Sequence, residues 1–353
     1  MNYHSIIKKA WNGYDNSKLI RHIEEISAMV STNHVYQITF EDDDIIIAKL
    51  STYGKYEHFK EDHRIIHALS NNLLYPFENF VARSLLKNNR VYTYRHKYRK
   101  EDAWVVFYNP VRIDQRLPRR LEDHHIRSLG KQMAKFHKAC FRIKNVLPKS
   151  SKTLGTDIRI LIEQLDTTPE KFGSPEQVAM LKKHCDVFMK NRTKYNAVGS
   201  LGSIPVFIDW NIGNFSVNER NQLYSRWDYD WFRMSSRMMD FYFLSRVVSN
   251  AGDRTVFSYV IGPLMEDRFM LFLEEYHKVY PLTAPEIHFM KDAYRFFILN
   301  YVIKDGRYFF NEQYAKKLRN EALNIYLPSV NTHFDAEKII NFLGIQTPEL
   351  EPH

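Results

Sequence analysis

The sequence predicts an α+β protein of two lobes, a small antiparallel sheet followed by a larger, mainly helical region. Three features predict it. Apolar residues alternate with period two through much of the first third of the chain, and from Asp123 onward they recur at three- and four-residue spacing. One strand-like island, 204–227, interrupts the helical part. With 353 residues, 44% of them hydrophobic and 14% aromatic, the chain is long and apolar enough to bury a core in each lobe.

The elements follow in order. From His34 to Phe40, residues Tyr36, Ile38 and Phe40 share one face, and the acidic turn Glu41-Asp42-Asp43-Asp44 leads into the apolar run Ile45 to Leu50. This pattern is a hairpin. A helix is expected from Tyr56 to Ser70, with Phe59, Ile66 and Leu69 near helical spacing, then strands from Arg90 to Arg99 and from Ala103 to Tyr108. Asn109-Pro110 breaks the pattern, because proline disfavours helix in the residue before it. The lobes therefore divide into residues 1–108 and 109–353.

Beyond the break, Ile126, Leu129, Met133, Phe136 and Cys140 mark an amphipathic helix over 123–142, with Asp123 as its cap. Further helices are expected at 157–166, 175–192, 233–250, 262–278, 284–303 and 311–325.

Composition removes several functions. The 12 glycines never fall in G-x-G-x-x-G or G-x-x-x-x-G-K-[ST], so a Rossmann fingerprint and a Walker loop are both absent. With only two cysteines, Cys140 and Cys185, neither a disulfide framework nor a thiolate zinc site is expected, and a reducing, cytoplasmic setting fits. Met1 to Tyr14 has no apolar core of a signal sequence, and no run of residues suits a membrane span.

The net charge of +9 favours anionic partners. Arg90 to Lys100 interleaves tyrosines with cations, as a single-strand nucleic-acid platform would. Its period of two turns the tyrosines inward, so a nucleic-acid partner is not expected. Glu122, Asp123, His124 and His125 read as a charged helix start, because adjacent histidines on a helix diverge by about 100° and do not chelate together.

The island holds the chemistry. It reads Phe207-Ile208-Asp209-Trp210-Asn211-Ile212-Gly213-Asn214-Phe215, and Asp209 and Asn214 stand five apart, the spacing of a phosphoryl-transfer catalytic loop. Pairing Phe215 to Val217 with Leu223 to Trp227 as a hairpin returns Asp228 beside Asn214, with Tyr229 and Asp230 following. An amide oxygen and one or two carboxylates are hard ligands suited to magnesium.

This segment resembles the aminoglycoside phosphotransferase and choline kinase-like superfamily, of protein kinase-like fold. Its hallmark is H-G-D-x-x-x-x-N, a hairpin, then I-D-[FW]. Leu129-Gly130-Lys131-Gln132-Met133-Ala134-Lys135-Phe136-His137 is similar to the helix that opens that family's second lobe, and Asp240 lies where the family keeps a further aspartate.

The resemblance implies a bilobal enzyme that transfers the γ-phosphoryl group of ATP, with Mg2+, to a hydroxyl of a small-molecule acceptor. Asp209 would deprotonate the acceptor, Asn214 and Asp228 would hold the metal, and Lys49 would clamp the phosphates. Asp62, with Glu61 as its neighbouring candidate, would position Lys49. Ser31 and Asn33, in Ser31-Thr32-Asn33-His34, would stand in the nucleotide loop. Asp240 would brace the catalytic loop, and His137 would be structural.

The chain departs from the family at Phe207 and Ile208, which replace the histidine and glycine of H-G-D, and at Asn211. Those changes motivate a second reading, a catalytically degenerate kinase-like binding or regulatory protein. Trp231, Phe232 and Tyr242 read as core rather than as an aromatic cage, and Glu266, Asp267, Glu274 and Glu275 are the acids from which a pocket for a cationic acceptor would be built.

Overall fold

A computed structural model describes residues 2–27, 34–99, 101–197, 201–252 and 258–346. The chain starts with helix α1 (Tyr3–Tyr14), capped where Asn2 Oδ1 accepts from the Ser5 amide at 3.0 Å. Its buried residues Ile6, Ile7, Ala10 and Trp11 form one stripe.

That stripe lies against a five-stranded antiparallel sheet made of β1 (Ile20–Glu25), β2 (His34–Phe40), β3 (Ile45–Ser51), β6 (Thr93–Tyr98) and β7 (Glu101–Tyr108). The strands lie in the order β1-β2-β3-β7-β6. The short β4 (Leu86–Lys87) and β5 (Arg90–Val91) form a separate ladder. Neither α1 nor β1 was expected from the sequence, although the Ile6/Ile7/Ala10/Trp11 spacing carried the signal for the helix.

Strand alternation sorts the two faces. Ala48 and Leu50 of β3 and Val105 and Phe107 of β7 pack under α1. Lys49 and its β7 partner Val106 point to the opposite face, where Val106 joins the larger core with Ile65, Ile66 and Leu69 of helix α2 (Tyr56–Asn72). Tyr92 and Tyr94 pack against the smaller core, while Tyr98 is exposed. Most of the tyrosine alternation is thus spent on packing.

The helical region begins with α3 (Asp123–Ile143). Its cap is Glu122, not Asp123: the Glu122 side chain and His125 form a reciprocal capping box, and Asp123 is the first helical residue. Glu122, His124 and His125 cluster on the surface, their potential ligand atoms within 4.8 Å of one another, so the expected divergence of the two histidines does not hold at this helix end. Helices α4 (Leu154–Thr167) and α5 (Pro175–Ala197) follow.

Strands β8 (Ile204–Val206), β9 (Phe215–Val217), β10 (Leu223–Arg226) and β11 (Arg233–Ser235) make two antiparallel pairs, β8 with β11 and β9 with β10. The helix expected over 233–250 is therefore shorter, α6 (Met238–Val248), because Arg233–Ser235 is taken up in pairing with β8.

Next come α7 (Asp267–Val279), α8 (Ala284–Phe297), α9 (Gly306–Phe309), α10 (Glu312–Glu321), α11 (Leu327–Ser329) and α12 (Ala336–Phe342). The helices expected at 284–303 and 311–325 both change to π-helix partway, over Ile298–Lys304 and Ala322–Tyr326.

Helices α3 and α7 pack closely at Gly130, where an added Cβ would lie 2.5 Å from the Phe272 carbonyl oxygen. The architecture is the expected one, an antiparallel sheet followed by a mainly helical region.

Candidate active site

Strand β8 delivers the loop that carries Asp209. Ile208 takes φ +64°, a left-handed conformation that costs a β-branched residue of order 1–3 kcal/mol. The strain is held by a buried clamp: the amides of Phe207 and Ile208 both donate to Asp240 Oδ1, at 3.0 and 2.6 Å. Asp240 Oδ2 lies 3.0 Å from His137 Nε2, and His137 Nδ1 lies 2.8 Å from the Tyr276 hydroxyl. Helices α6, α3 and α7 thereby fix the loop where Phe207 and Ile208 replace the histidine and glycine of H-G-D.

The Asp209 carboxylate accepts through Oδ1 from the Asn211 amide at 3.3 Å. Burial, reinforced by the negative charge of Asp228, raises its pKa to about 6.

Arg226, at the end of β10, lies beneath this loop and is fully buried. Its guanidinium sits between Phe207 and Trp210, 4.5 and 4.4 Å from the ring centres, and Nη2 donates to the Asp209 carbonyl at 2.8 Å. Arg226 Nε and Nη1 have no hydrogen-bond partner. Phe207 therefore gives up the histidine's hydrogen bonds and offers a ring face to a cation instead. The sequence reading missed Arg226. The available signal was an arginine two residues before Asp228, in a strand otherwise read as buried.

The β9–β10 hairpin brings Asn214 and Asp228 together as expected, with the Trp227 amide donating to the Asn214 carbonyl at 3.1 Å. Asn214 Nδ2 points to the Asp209 carbonyl at 3.4 Å, which leaves Oδ1 as the amide's ligand atom. Lys49 Nζ lies 2.8 Å from Asp228 Oδ1 and 2.5 Å from Asp230 Oδ1. Burial opposes the lysine's charge, but the two aspartates outweigh it and hold its pKa above the ordinary value. Asp228 is held below the usual carboxylate range, because the nearby Lys49 outweighs the effect of burial. One amide oxygen and two carboxylates form an all-oxygen donor set that fits a hard divalent cation such as Mg2+.

Asp62 does not hold Lys49. It pairs with Lys152, in the loop before α4, and Lys152 Nζ also donates to the Phe232 carbonyl at 3.1 Å. Glu61 is engaged elsewhere too, accepting from the Ser150 hydroxyl at 3.0 Å and the Ser151 amide at 2.6 Å. The acidic turn of α2 thus faces the 150–152 loop, while Lys49 is satisfied by the aspartates after the hairpin. Ser31 and Asn33 lie outside the described residues.

Trp231, Phe232 and Tyr242 are buried, with Trp231 packed among Phe243, Phe297, Tyr301 and Phe309. They are core. The four acids considered for a cationic acceptor form no pocket at this site. Glu274 and Glu275 pair with Arg127, Lys131 and Lys278, Glu266 accepts from the Asn250 amide, and Asp267 and Glu274 line a small cavity with Lys338 that includes none of Lys49, Asp209, Asn214 and Asp228.

No protein-family model and no curated protein matches the chain in sequence. Solved structures do match it over nearly its whole length. Amicoumacin kinase, solved with AMP-PNP and Ca2+, aligns at a TM-score of 0.64 and 14% identity, covering 96% of this chain and 97% of that one. A microcompartment-associated aminopropanol kinase aligns at 0.60 and 14% identity, covering 94% and 99%. The choline kinase of Streptococcus pneumoniae aligns at 0.54 and 12%, covering 92% and 98%. At such identities the likeness is one of fold, and the chain has the kinase-like fold of aminoglycoside phosphotransferases and choline kinases.

Proposed function

We propose that this protein is an ATP-dependent phosphotransferase that moves the γ-phosphoryl group to a hydroxyl of a small molecule. The observation that carries the proposal is the meeting of Lys49, Asp209, Asn214 and Asp228 around a loop clamped by Asp240. Residues 1–108 supply the nucleotide side and residues 109–353 the catalytic loop, in a cytoplasmic enzyme. No helix among the described residues is long and apolar enough to cross a membrane.

Asp209 orients the acceptor hydroxyl and takes its proton. A pKa near 6 leaves it ionised at neutral pH yet basic enough to assist. The acceptor oxygen bonds to the γ-phosphorus as the bond to the β–γ bridging oxygen breaks, and that oxygen leaves with its electron pair on ADP. Lys49 exchanges its aspartate partners for phosphate oxygens. Asn214 and Asp228, with Asp230, would hold Mg2+, and a divalent cation there would supply charge neutralisation for the phosphates. Arg226 and Asp240 fix the position of Asp209.

A second reading, a kinase-like binding module without transfer, is favoured by one observation: Lys49 and both aspartates already satisfy one another. Thermal unfolding against ATP with Mg2+, in wild type and Asp228→Ala, tests the nucleotide site. A ligand at a hundred times its Kd adds about 2.7 kcal/mol of stability. A Mg2+-dependent shift lost in the variant supports the site, and no shift in wild type refutes it. Nucleotide binding without transfer to any acceptor supports the second reading.

A further inference from the structure

We propose that the acceptor is an anion, a hydroxyl compound carrying phosphate or carboxylate, held in a basic cavity between the sheet lobe and the helices. The proposal rests on the phosphotransferase reading and names its substrate class. The cavity measures about 980 Å3 and is walled by the turn after β3, helix α4 with the segment that follows it, and the segment from Val302 to Arg319. Its walls reach segments that directly follow the site residues in the chain. Thr52 and Tyr53 follow the strand that carries Lys49, Lys152 donates to the carbonyl of Phe232, and Asp157 pairs with Arg233 of β11.

Charge selects the occupant. Seven lysine and arginine side chains line the cavity against three carboxylates. Each of those carboxylates is already matched: Asp157 by Arg233 and Lys304, Asp305 by Lys304, and Glu312 by Lys316. Lys55, Lys171, Arg307 and Arg319 meet no carboxylate at ion-pair distance among the described residues.

Arg319 is also placed rather than loose. Its guanidinium lies 5.8 Å from the centre of the Phe172 ring and donates to the Lys171 carbonyl. A fixed arginine beside a lysine suits the oxygens of a phosphate or carboxylate, and a cationic acceptor would meet like charge. Ile160, Phe172 and Phe310 give the rest of such a molecule an apolar wall.

The experiment titrates glucose 6-phosphate and glycerol 3-phosphate, against choline and kanamycin, into the full chain with AMP-PNP and Mg2+, and repeats this with K171E/R319E. At least one phosphorylated probe is expected to bind, about tenfold or more weakly in the double variant. Its binding to wild type is also expected to weaken from low to high salt. The thermal shift by AMP-PNP serves as the control for folding and for the nucleotide site. Binding by choline or kanamycin alone, failure of both phosphorylated probes, or an affinity unchanged by charge reversal or by salt overturns the proposal. Absence of the AMP-PNP shift in wild type overturns the phosphotransferase reading separately, because the probes can be titrated without nucleotide.

Discussion

Lys49 is held by Asp228 and Asp230 and Lys152 by Asp62, and the two clusters are balanced differently. Lys49 is nearly buried, with its side chain 6% exposed, against two carboxylates at 37% and 22%. Lys152 and Asp62 are one to one and closed, at 14% and 13%. In the first cluster attraction outweighs burial, so the lysine pKa rises and that of Asp228 falls. In the second burial wins: Lys152 is lowered and Asp62 raised. An excess of partly open carboxylate can receive a metal ion. A balanced pair holds α2 to the loop before α4.

The largest effect expected from this contrast is on turnover. Asp228→Ala removes a metal carboxylate and one partner of Lys49, and steady-state kinetics should show kcat reduced by about 10³-fold or more, the scale of a lost electrostatic group in an active site. The Mg2+-dependent thermal shift should vanish with it. Asp209→Asn should match the loss in kcat but keep the shift. Near-normal turnover in either variant would refute the assignment.

The closed pair should behave in the opposite way. Lys152→Met leaves Asp62 buried, with Oδ1 already lacking a partner, and should cost about 3–5 kcal/mol in urea unfolding. The nucleotide-induced shift should persist. The double change Lys152→Met with Asp62→Leu should recover most of the loss, since an apolar pair replaces a desolvated ionic one. If Lys152→Met alone abolishes nucleotide binding, the two clusters are one site and the contrast fails.

The contrast also explains what was legible in the sequence. Asp209, Asn214 and Asp228 lie within one hairpin, so spacing and strand pairing suffice to bring them together. Lys49 was readable from the alternation of β3. Its partners were not. Asp62 is near in sequence and on a helix packed against the same face, whereas Asp228 lies 179 residues away. Proximity favoured the wrong acid, and only tertiary packing reverses that choice. Lys152 stands in a serine-rich loop without periodicity, and nothing local marks it as the partner of Asp62. The basic cavity joins segments from three parts of the chain, so no single stretch announces it, though the net charge of +9 hinted at its sign.

A smaller effect is expected from pH. Asp209 works as a carboxylate and its pKa is raised to about 6 by burial and then by Asp228, so activity is present above that value. The acid limb of kcat/KM should have its midpoint near 6 and fall about tenfold per unit below it. Stability has the opposite sign in this group. The folded protein holds the Asp209 proton more tightly than the unfolded chain does, so the contribution is present at low pH and is lost as pH rises through about 6.

Arg226 offers the finest test, because it touches Asp209 without a place in the chemistry. Its charge draws the Asp209 pKa down, against burial and Asp228. Arg226→Met keeps an apolar stem between Phe207 and Trp210 but removes both the cation and the donor to the Asp209 carbonyl. Replacing a buried cation whose Nε and Nη1 are unpartnered by a thioether need not destabilise the fold. A fall in kcat of about tenfold is expected, with KM for ATP little changed. The pH profile separates positioning from packing: the acid limb should move upward in Arg226→Met, whereas a purely structural role lowers the rate and leaves the midpoint in place. Arg226→Lys restores the charge without the planar donor and should return the midpoint while recovering only part of the rate.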